Sequence, residues 1–334
     1  MQVGKLTPAA LQQLIFDRLS KRREEVLLRG ALGEDSAALD LAGDLCIVST
    51  DPITGASKHA GWLAIHVSCN DVAANGAEPV AALLTLLLPA GSDLSLVREI
   101  MTDAERAAQE VSVEIVGGHT ELTTAVNQPI ISTTVIGRVS AESLATSASI
   151  QPGDALLATK YVGLEGTAIL AWDYPHLTRS LLGEELWIAA RELKQQISVV
   201  PEARIANRLG VKAMHDVTEG GVLGAAYEMA GAAGLGFDLK EANLLLHPAT
   251  KLLAEHLQFD PLRLISSGTL LLATPQPEPL VAALQNRGIP VSVIGHFHSS
   301  DAKRLIRIDG SVEEVAPPAS DELWRLQANL RDSG

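Results

Sequence analysis

Two cysteines, Cys46 and Cys69, in 334 residues rule out a disulfide framework and point to a reducing compartment, with the cytoplasm as the natural reading. Aromatic residues make up only 3% of the chain, and 40 Asp and Glu outnumber 26 Lys and Arg, for a formal net charge of −14. Nucleic acid is therefore not an expected partner, since its recognition needs basic phosphate contacts and often stacking rings. No run reaches about 18 consecutive apolar residues, the length of a membrane helix. The opening Met1-Gln2-Val3-Gly4-Lys5 lacks the apolar stretch of a signal peptide. Also missing are a Gly-x-x-x-x-Gly-Lys-Ser/Thr loop and a Gly-x-Gly-x-x-Gly run after the first strand, which excludes the common phosphate cradles. The acidic balance repels polyanions at long range, so a site for one must bring its own cations.

What is present is a globular chain, 47% hydrophobic and long enough for two cores. Thr7-Pro8 opens a helix, with a hydroxyl cap and proline at the first helical position. Leu11, Leu14, Ile15, Leu19, Val26 and Leu27 continue it at near-helical spacing to Gly30. Strands are expected at Leu45–Ser49, with Asp51 at its end, at Val80–Leu88, at Val113–Val116 running into Gly117-Gly118, and at Ile130–Val139. Helices are expected at Trp62–Ala74, stopped by Asn75-Gly76, and at Leu94–Glu110. The small, weakly patterned stretch 141–151 and the turn Pro152-Gly153-Asp154 place a boundary between an N-terminal domain, 1–140, and a C-terminal domain, 150–334. The second half again alternates strands with helices but without a clean βαβ period, so the class is α+β.

Several carboxylates lie beside glycines and strand ends. Gly33-Glu34-Asp35, Ser49-Thr50-Asp51 and Asn70-Asp71 are spaced so that Asp35, Asp51 and Asp71 meet only through the fold. Asp51 reads equally as a turn or helix cap before Pro52, and Gly33–Ala38 as an ordinary acidic turn. Asp71 is harder to explain locally. It lies in an apolar helix, where aspartate has poor propensity and an unpaired buried carboxylate is costly. A hard divalent cation, which takes oxygen ligands, would relieve that cost. Gly117-Gly118-His119-Thr120-Glu121 follows a strand and reads either as a tight turn with a solvent-facing imidazole or as an anion-binding nest, with His119 as proton carrier or hydrogen-bonded to a phosphate. His215-Asp216-Val217-Thr218-Glu219-Gly220-Gly221 and Gly163-Leu164-Glu165-Gly166-Thr167 each enter a helix, as a cap or as an anion site. Ser266-Ser267-Gly268 is a lesser candidate of the same kind. Cys46 and Cys69 read as packing residues.

In this order, the motifs resemble the aminoimidazole ribonucleotide synthetase superfamily over roughly residues 4–310. That group includes thiamine-monophosphate kinase, selenophosphate synthetase, formylglycinamidine ribonucleotide synthetase and the hydrogenase-maturation factor that dehydrates a carbamoylated cysteine. The resemblance implies two α+β domains, a homodimer whose N-terminal sheets join in a barrel, and an ATP cleft with Mg²⁺ held by aspartates. Asp35, Asp51, Asp71 and Asp216 would then be metal ligands or their neighbours. Gly117, Gly118 and Thr120 would lie against the phosphates, with Asn70, Gly163 and Gly166 as further nucleotide contacts and His119 and Asp71 as catalytic candidates. It also implies phosphorylation of an oxygen on a small molecule or a carrier-bound amide. The pattern is nearest the hydrogenase-maturation branch, although the chain ends Leu330-Arg331-Asp332-Ser333-Gly334, without the terminal cysteine of that branch. The alternatives are a thiamine-monophosphate-kinase-like phosphotransferase, a nucleotide-binding maturation or scaffold protein without turnover, and a regulatory domain that binds no nucleotide.

Overall fold

The computed structural model describes residues 26–28, 36–40, 43–54, 56 and 58–332. Asp35 and most of the helix expected after Thr7 lie outside the described residues. Val26 and Leu27, expected at the end of that helix, instead belong to a strand, β1 (Val26–Leu28), which pairs antiparallel with β2 (Ala37–Asp40). Two or three apolar residues fit either period, and the waiting edge of β2 decides between them.

The first half continues with β3 (Leu45–Ile53), α1 (Ala60–Ala74), β4 (Glu78–Pro89), α2 (Leu94–Val111), β5 (Glu114–Thr123) and β6 (Ile130–Val139). These strands form one sheet in the order β1-β2-β3-β6-β4-β5. All its pairings are antiparallel except β4 with β5, which needs a crossover, and α2 supplies it. The buried residues of α2 (Ile100, Ala104, Ala107, Ala108 and Val111) recur at helical spacing, and the Asp93 side chain caps its start by accepting the Ser95 N–H at 2.6 Å.

Helix α1 is different in kind. Every residue from Gly61 to Ala74 is buried, so the helix has no solvent face. A helix apolar all round must be covered all round. The first sheet and α2 cover part of α1, and the second half of the chain covers the rest through α5 (Val200–Arg208) and β8 (Ala213–Asp216).

Around those two elements the second half places β7 (Ala155–Thr159), α3 (Leu164–Asp173) and α4 (Pro175–Glu192) before them. After them come α6 (Gly221–Ala233), β9 (Gly236–Lys240), α7 (Pro248–Leu257), β10 (Leu270–Thr274), α8 (Pro277–Gln285), β11 (Val291–His298), β12 (Lys303–Ile306), β13 (Val312–Glu314) and α9 (Glu322–Asp332). The sheet order is β13-β12-β9-β11-β7-β10-β8, with β9 and β12 parallel. β7 and β10 are buried at every position, as expected of inner strands covered on both faces.

The larger core joins Leu63, Ile65 and Val72 of the first half to Leu157, Ala203 and Met214 of the second. A separate core around Met229, Phe237 and Phe297 belongs to the second half alone. Among the described residues no helix is long and apolar enough to cross a membrane. Because α1 closes the shared core, Leu63→Ala should lower the unfolding free energy by about 2–5 kcal/mol in urea titration. Leu94→Ala, at a position 72% exposed, should change it by less than about 0.5 kcal/mol.

Candidate functional site

Polar side chains interrupt the apolar layer between α1 and the first sheet. On β3, Ser49 and Asp51 are two residues apart and so share the face toward α1. The Ser49 hydroxyl donates to Asp71 Oδ2 at 2.6 Å. Asp71 is 4% exposed on α1, while Asp51 is half-buried. One helical turn before Asp71, the Ser68 hydroxyl donates to the Thr133 carbonyl at 3.2 Å. Thr133 lies directly across from Asp51 on β6, and its buried hydroxyl has no hydrogen-bond partner among the described residues. Ser49, Asp51, Asp71 and Thr133 thus form a small oxygen-rich pocket in a hydrophobic layer. Asp51 is not at a strand end as expected; β3 runs on to Ile53, and Asp51 sits inside it.

Asn70 faces another way. Consecutive helical residues point about 100° apart, so it turns toward the second half when Asp71 turns to the sheet. Its amide donates to the Ile197 carbonyl at 2.9 Å and accepts the Val199 N–H at 2.8 Å. Its side chain is wholly buried, and both ends of the amide are engaged with protein backbone. Asp216 ends β8, the strand that packs on α1, and is 1% exposed. Its neighbour His215 holds Glu228 at 3.3 Å. Among the described residues no three His, Cys, Asp or Glu side chains stand close enough to hold a metal.

The glycine motifs differ most from expectation. Residues 117–121 form no turn: β5 continues through them to Thr123, so they are strand and not a nest. Gly118 has a φ of +147°, and a Cβ there would lie 1.9 Å from the Leu84 carbonyl, so the close approach of β4 explains the glycine. Leu84 is level with Thr133, and Thr133 with Asp51, so Gly118 lies in the row of the carboxylate pocket. His119, one residue on, points to the opposite sheet face. It is largely exposed, with Nε2 3.3 Å from Glu121 Oε2. Thr120, beside Leu86, returns to the pocket side of the sheet, on its open edge strand. The structure thus joins Asp71 to Ser49, two residues from Asp51 on the same face of β3, and sets His119 on the opposite face of the sheet.

Gly163 and Gly166 start α3, but the helix N-terminus is closed from within. The Ser266 hydroxyl accepts the N–H groups of Gly163 and Leu164 at 2.8 and 3.3 Å, and the Ile265 carbonyl accepts that of Gly166 at 3.0 Å. A Cβ on Gly166 would meet Leu264 at 2.4 Å, so this glycine serves packing. Ser266 and Ser267 therefore work as internal acceptor and donor: the Ser267 N–H is 3.2 Å from Glu165 Oε2. Burial pushes the Glu165 carboxyl up to about 7. Ser267 opposes the shift, and the nearby Asp321 and Glu219 reinforce it. Asp321 accepts N–H groups from Gly220 at 2.7 Å, Ile265 at 3.1 Å and Leu323 at 2.8 Å, and so ties the turn after Asp216 to the start of α9. Burial raises Asp321 to about 6 against those three bonds. Nothing in the sequence singled out Asp321; its only local signal is a helix-cap position before Glu322 and Leu323. Cys69 is fully buried and Cys46 half-buried, and burial raises both thiols, which suits packing residues.

Two mixed sheets that share one enclosed helix, with a carboxylate pocket on that helix, define a two-domain α+β protein of the AIR synthase-like architecture. The chain belongs to the AIR synthase related family: the model for the N-terminal domain of these proteins matches residues 33–139, and that for the C-terminal domain matches residues 151–307. It is 29% identical to the carbamoyl dehydratase HypE of Escherichia coli over 95% of this chain and 96% of that one. The solved structure of E. coli HypE superposes with a TM-score of 0.73 at 28% identity, over 88% of this chain and 93% of the other. A HypE solved in complex with ATP shares the fold at TM-score 0.72 and 22% identity, over 97% and 98%. AaThiL, solved with AMPPCP and TMP, shares it at 0.75 and 20%, over 96% and 99%.

Glu165 carries a pH signature. Its folded value, about 7, lies above the ordinary 4.5. Stability is therefore fully present below the lower value and is lost as pH rises through the upper one. Between those limits the wild type should lose on the order of 3 kcal/mol more than Glu165→Gln, whose amide stays neutral, as measured by urea unfolding across the range.

Proposed function

We propose that the protein is an ATP- and Mg²⁺-dependent enzyme, HypE-like in type, that phosphorylates an oxygen of a small molecule or a carrier-bound amide. The observation that carries this reading is the pocket of Ser49, Asp51, Asp71 and Thr133, oxygen donors set into an otherwise apolar layer. Mg²⁺ in phosphoryl-transfer sites takes one or two carboxylates and completes its shell with water and phosphate oxygens. The described donor set, two carboxylates and an unengaged buried hydroxyl, suits that ion, with Asp51 and Asp71 as its holders. Asp216 approaches α1 from the second half, and Asp35 is a further candidate by the motif order. When bound, the ion would neutralise charge on the transferred phosphoryl group.

The chain's own contribution is positional. The Ser49 hydroxyl fixes the Asp71 carboxylate in one orientation, and the burial of Asp71 strengthens its interaction with a ligand. Transfer moves the terminal phosphoryl group of ATP to the acceptor oxygen and releases ADP. With an amide acceptor, the phosphorylated oxygen then leaves as phosphate while the nitrogen attacks or dehydration follows. Homodimerisation through the first sheet is part of the same reading. Its edge strand β5 is exposed along nearly its whole length, with Val116 at its surface near Leu83 of β4 and Leu122 exposed further along it. Unprotected edges of that kind call for a cover.

ADP release that depends on the acceptor is the decisive assay. Binding of Mg-ATP without ADP release for any acceptor or cell extract would reduce the protein to a scaffold, and absence of binding would make it a regulatory domain. TMP as the accepted substrate would favour the kinase-like alternative. Asp71→Asn keeps an oxygen for Ser49 while removing the charge. It should weaken Mg-ATP binding by at least about tenfold in calorimetry with little loss of stability; unchanged affinity would make Asp71 a structural carboxylate.

A further inference from the structure

The segment Gln196–Val199 is held by two buried side chains from opposite sides of the molecule. From α1, Asn70 takes the Ile197 carbonyl and the Val199 N–H, at 2.9 and 2.8 Å. From the end of β7, the Lys160 ammonium donates to the alternate carbonyls, Gln196 at 2.9 Å and Ser198 at 2.6 Å. Lys160 is 8% exposed and adopts a φ of +54°, a left-handed conformation that a lysine rarely takes. Its charge is balanced by Glu202 of α5, wholly buried, at 2.6 Å. Glu202 is itself tied back through the Thr159 hydroxyl at 3.4 Å. The ammonium also lies near enough to α1 to help depress His66, whose ring burial first and Lys160 second hold at about 4.

Four consecutive residues are thus bound in alternation, two by a residue of the first half and two by a lysine of the second. Taking an ion pair out of water into a core is expensive, and replacing it by an apolar pair of similar volume is often neutral or stabilising. Stability alone does not explain Lys160. What the arrangement does fix is the position of the second half relative to the residue preceding Asp71.

We propose that Lys160 is a positioning residue for the metal–nucleotide site: through the 196–199 segment it locks Asn70, and with it Asp71, in place against the second half that carries Asp216. This rests on the Mg-ATP reading above. Removing an outer partner of a metal-holding group typically costs 10–100-fold in metal affinity, and a clamp of this kind should act on metal-assisted binding more than on nucleotide contacts.

The test uses the full chain and calorimetric titration with AMPPCP, with Mg²⁺ and separately in EDTA. In the Lys160→Met, Glu202→Leu double variant, which removes both charges together, Mg-AMPPCP affinity should fall about tenfold or more, while affinity in EDTA stays within twofold and the thermal midpoint is kept. Asn70→Asp, which retains the acceptor for Val199 but loses the donor to Ile197, should show the same split. The two lesions combined should be less than additive, since they act on one segment. If Asn70→Asp alone weakens binding, equally with and without Mg²⁺, Asn70 is a direct nucleotide contact and the proposal is overturned. It is overturned too if the double variant loses stability but binds Mg-AMPPCP as the wild type does. A wild type that binds no Mg-AMPPCP would instead sink the nucleotide reading on which the proposal stands. Should the double variant not fold, Asn70→Asp carries the test alone.

Discussion

Everything in this molecule is arranged around a helix that cannot face water. With Gly61 to Ala74 all buried, α1 needs the first sheet and α2 on some sides and the second half on another. That requirement joins the two halves into one continuous core. It also sets the value of each polar group on α1: a hydroxyl, amide or carboxylate there must be satisfied by protein or by something bound, because water has no access. Ser68, Asn70 and Asp71 are the places where the helix meets that demand, and each binds a different part of the structure.

The same constraint explains what could be read from the sequence. The strand Ile130–Val139 is legible to the residue, because an alternating β-branched run is a local signal. Asp71 was legible as an anomaly, a charged residue inside an apolar helix. Its partner Ser49 lies in the motif Ser49-Thr50-Asp51, but the hydroxyl–carboxylate bond is not visible in any spacing. Gly117-Gly118 reads as a turn and is strand, whereas Gly163 and Gly166 do enter a helix as read. A glycine in a sequence reports that a side chain is unwelcome, and does not say whether a ligand or a neighbouring strand excludes it. At Gly118 the excluding group is the Leu84 backbone, and at Gly166 it is the Leu264 side chain. Val26 and Leu27 misled because three residues carry too little periodicity to resist an available strand edge.

Family membership and the local geometry agree at different levels. The matched domain models span most of the chain and account for its architecture. The pocket of Ser49, Asp51, Asp71 and Thr133 is the part of that architecture with chemistry suited to a hard cation. A second polar layer deeper in the second half serves structure instead. Glu165, Ser266, Ser267 and Asp321 tie the starts of α3, α6 and α9 to one another with hydrogen bonds to backbone N–H groups. They hold the turn that follows Asp216 and so support a carboxylate they do not resemble in role.

The enclosure of α1 also bears on how the chain is made. During synthesis α1 emerges well before β8, which provides one of its covers and is more than a hundred residues later. At about 5–20 residues per second, the uncovered side of this fully buried helix stays exposed for on the order of ten seconds. The nascent first half is therefore an aggregation-prone intermediate by construction, a natural client for chaperones, and a fragment ending before residue 196 should not be expected to behave as a soluble domain.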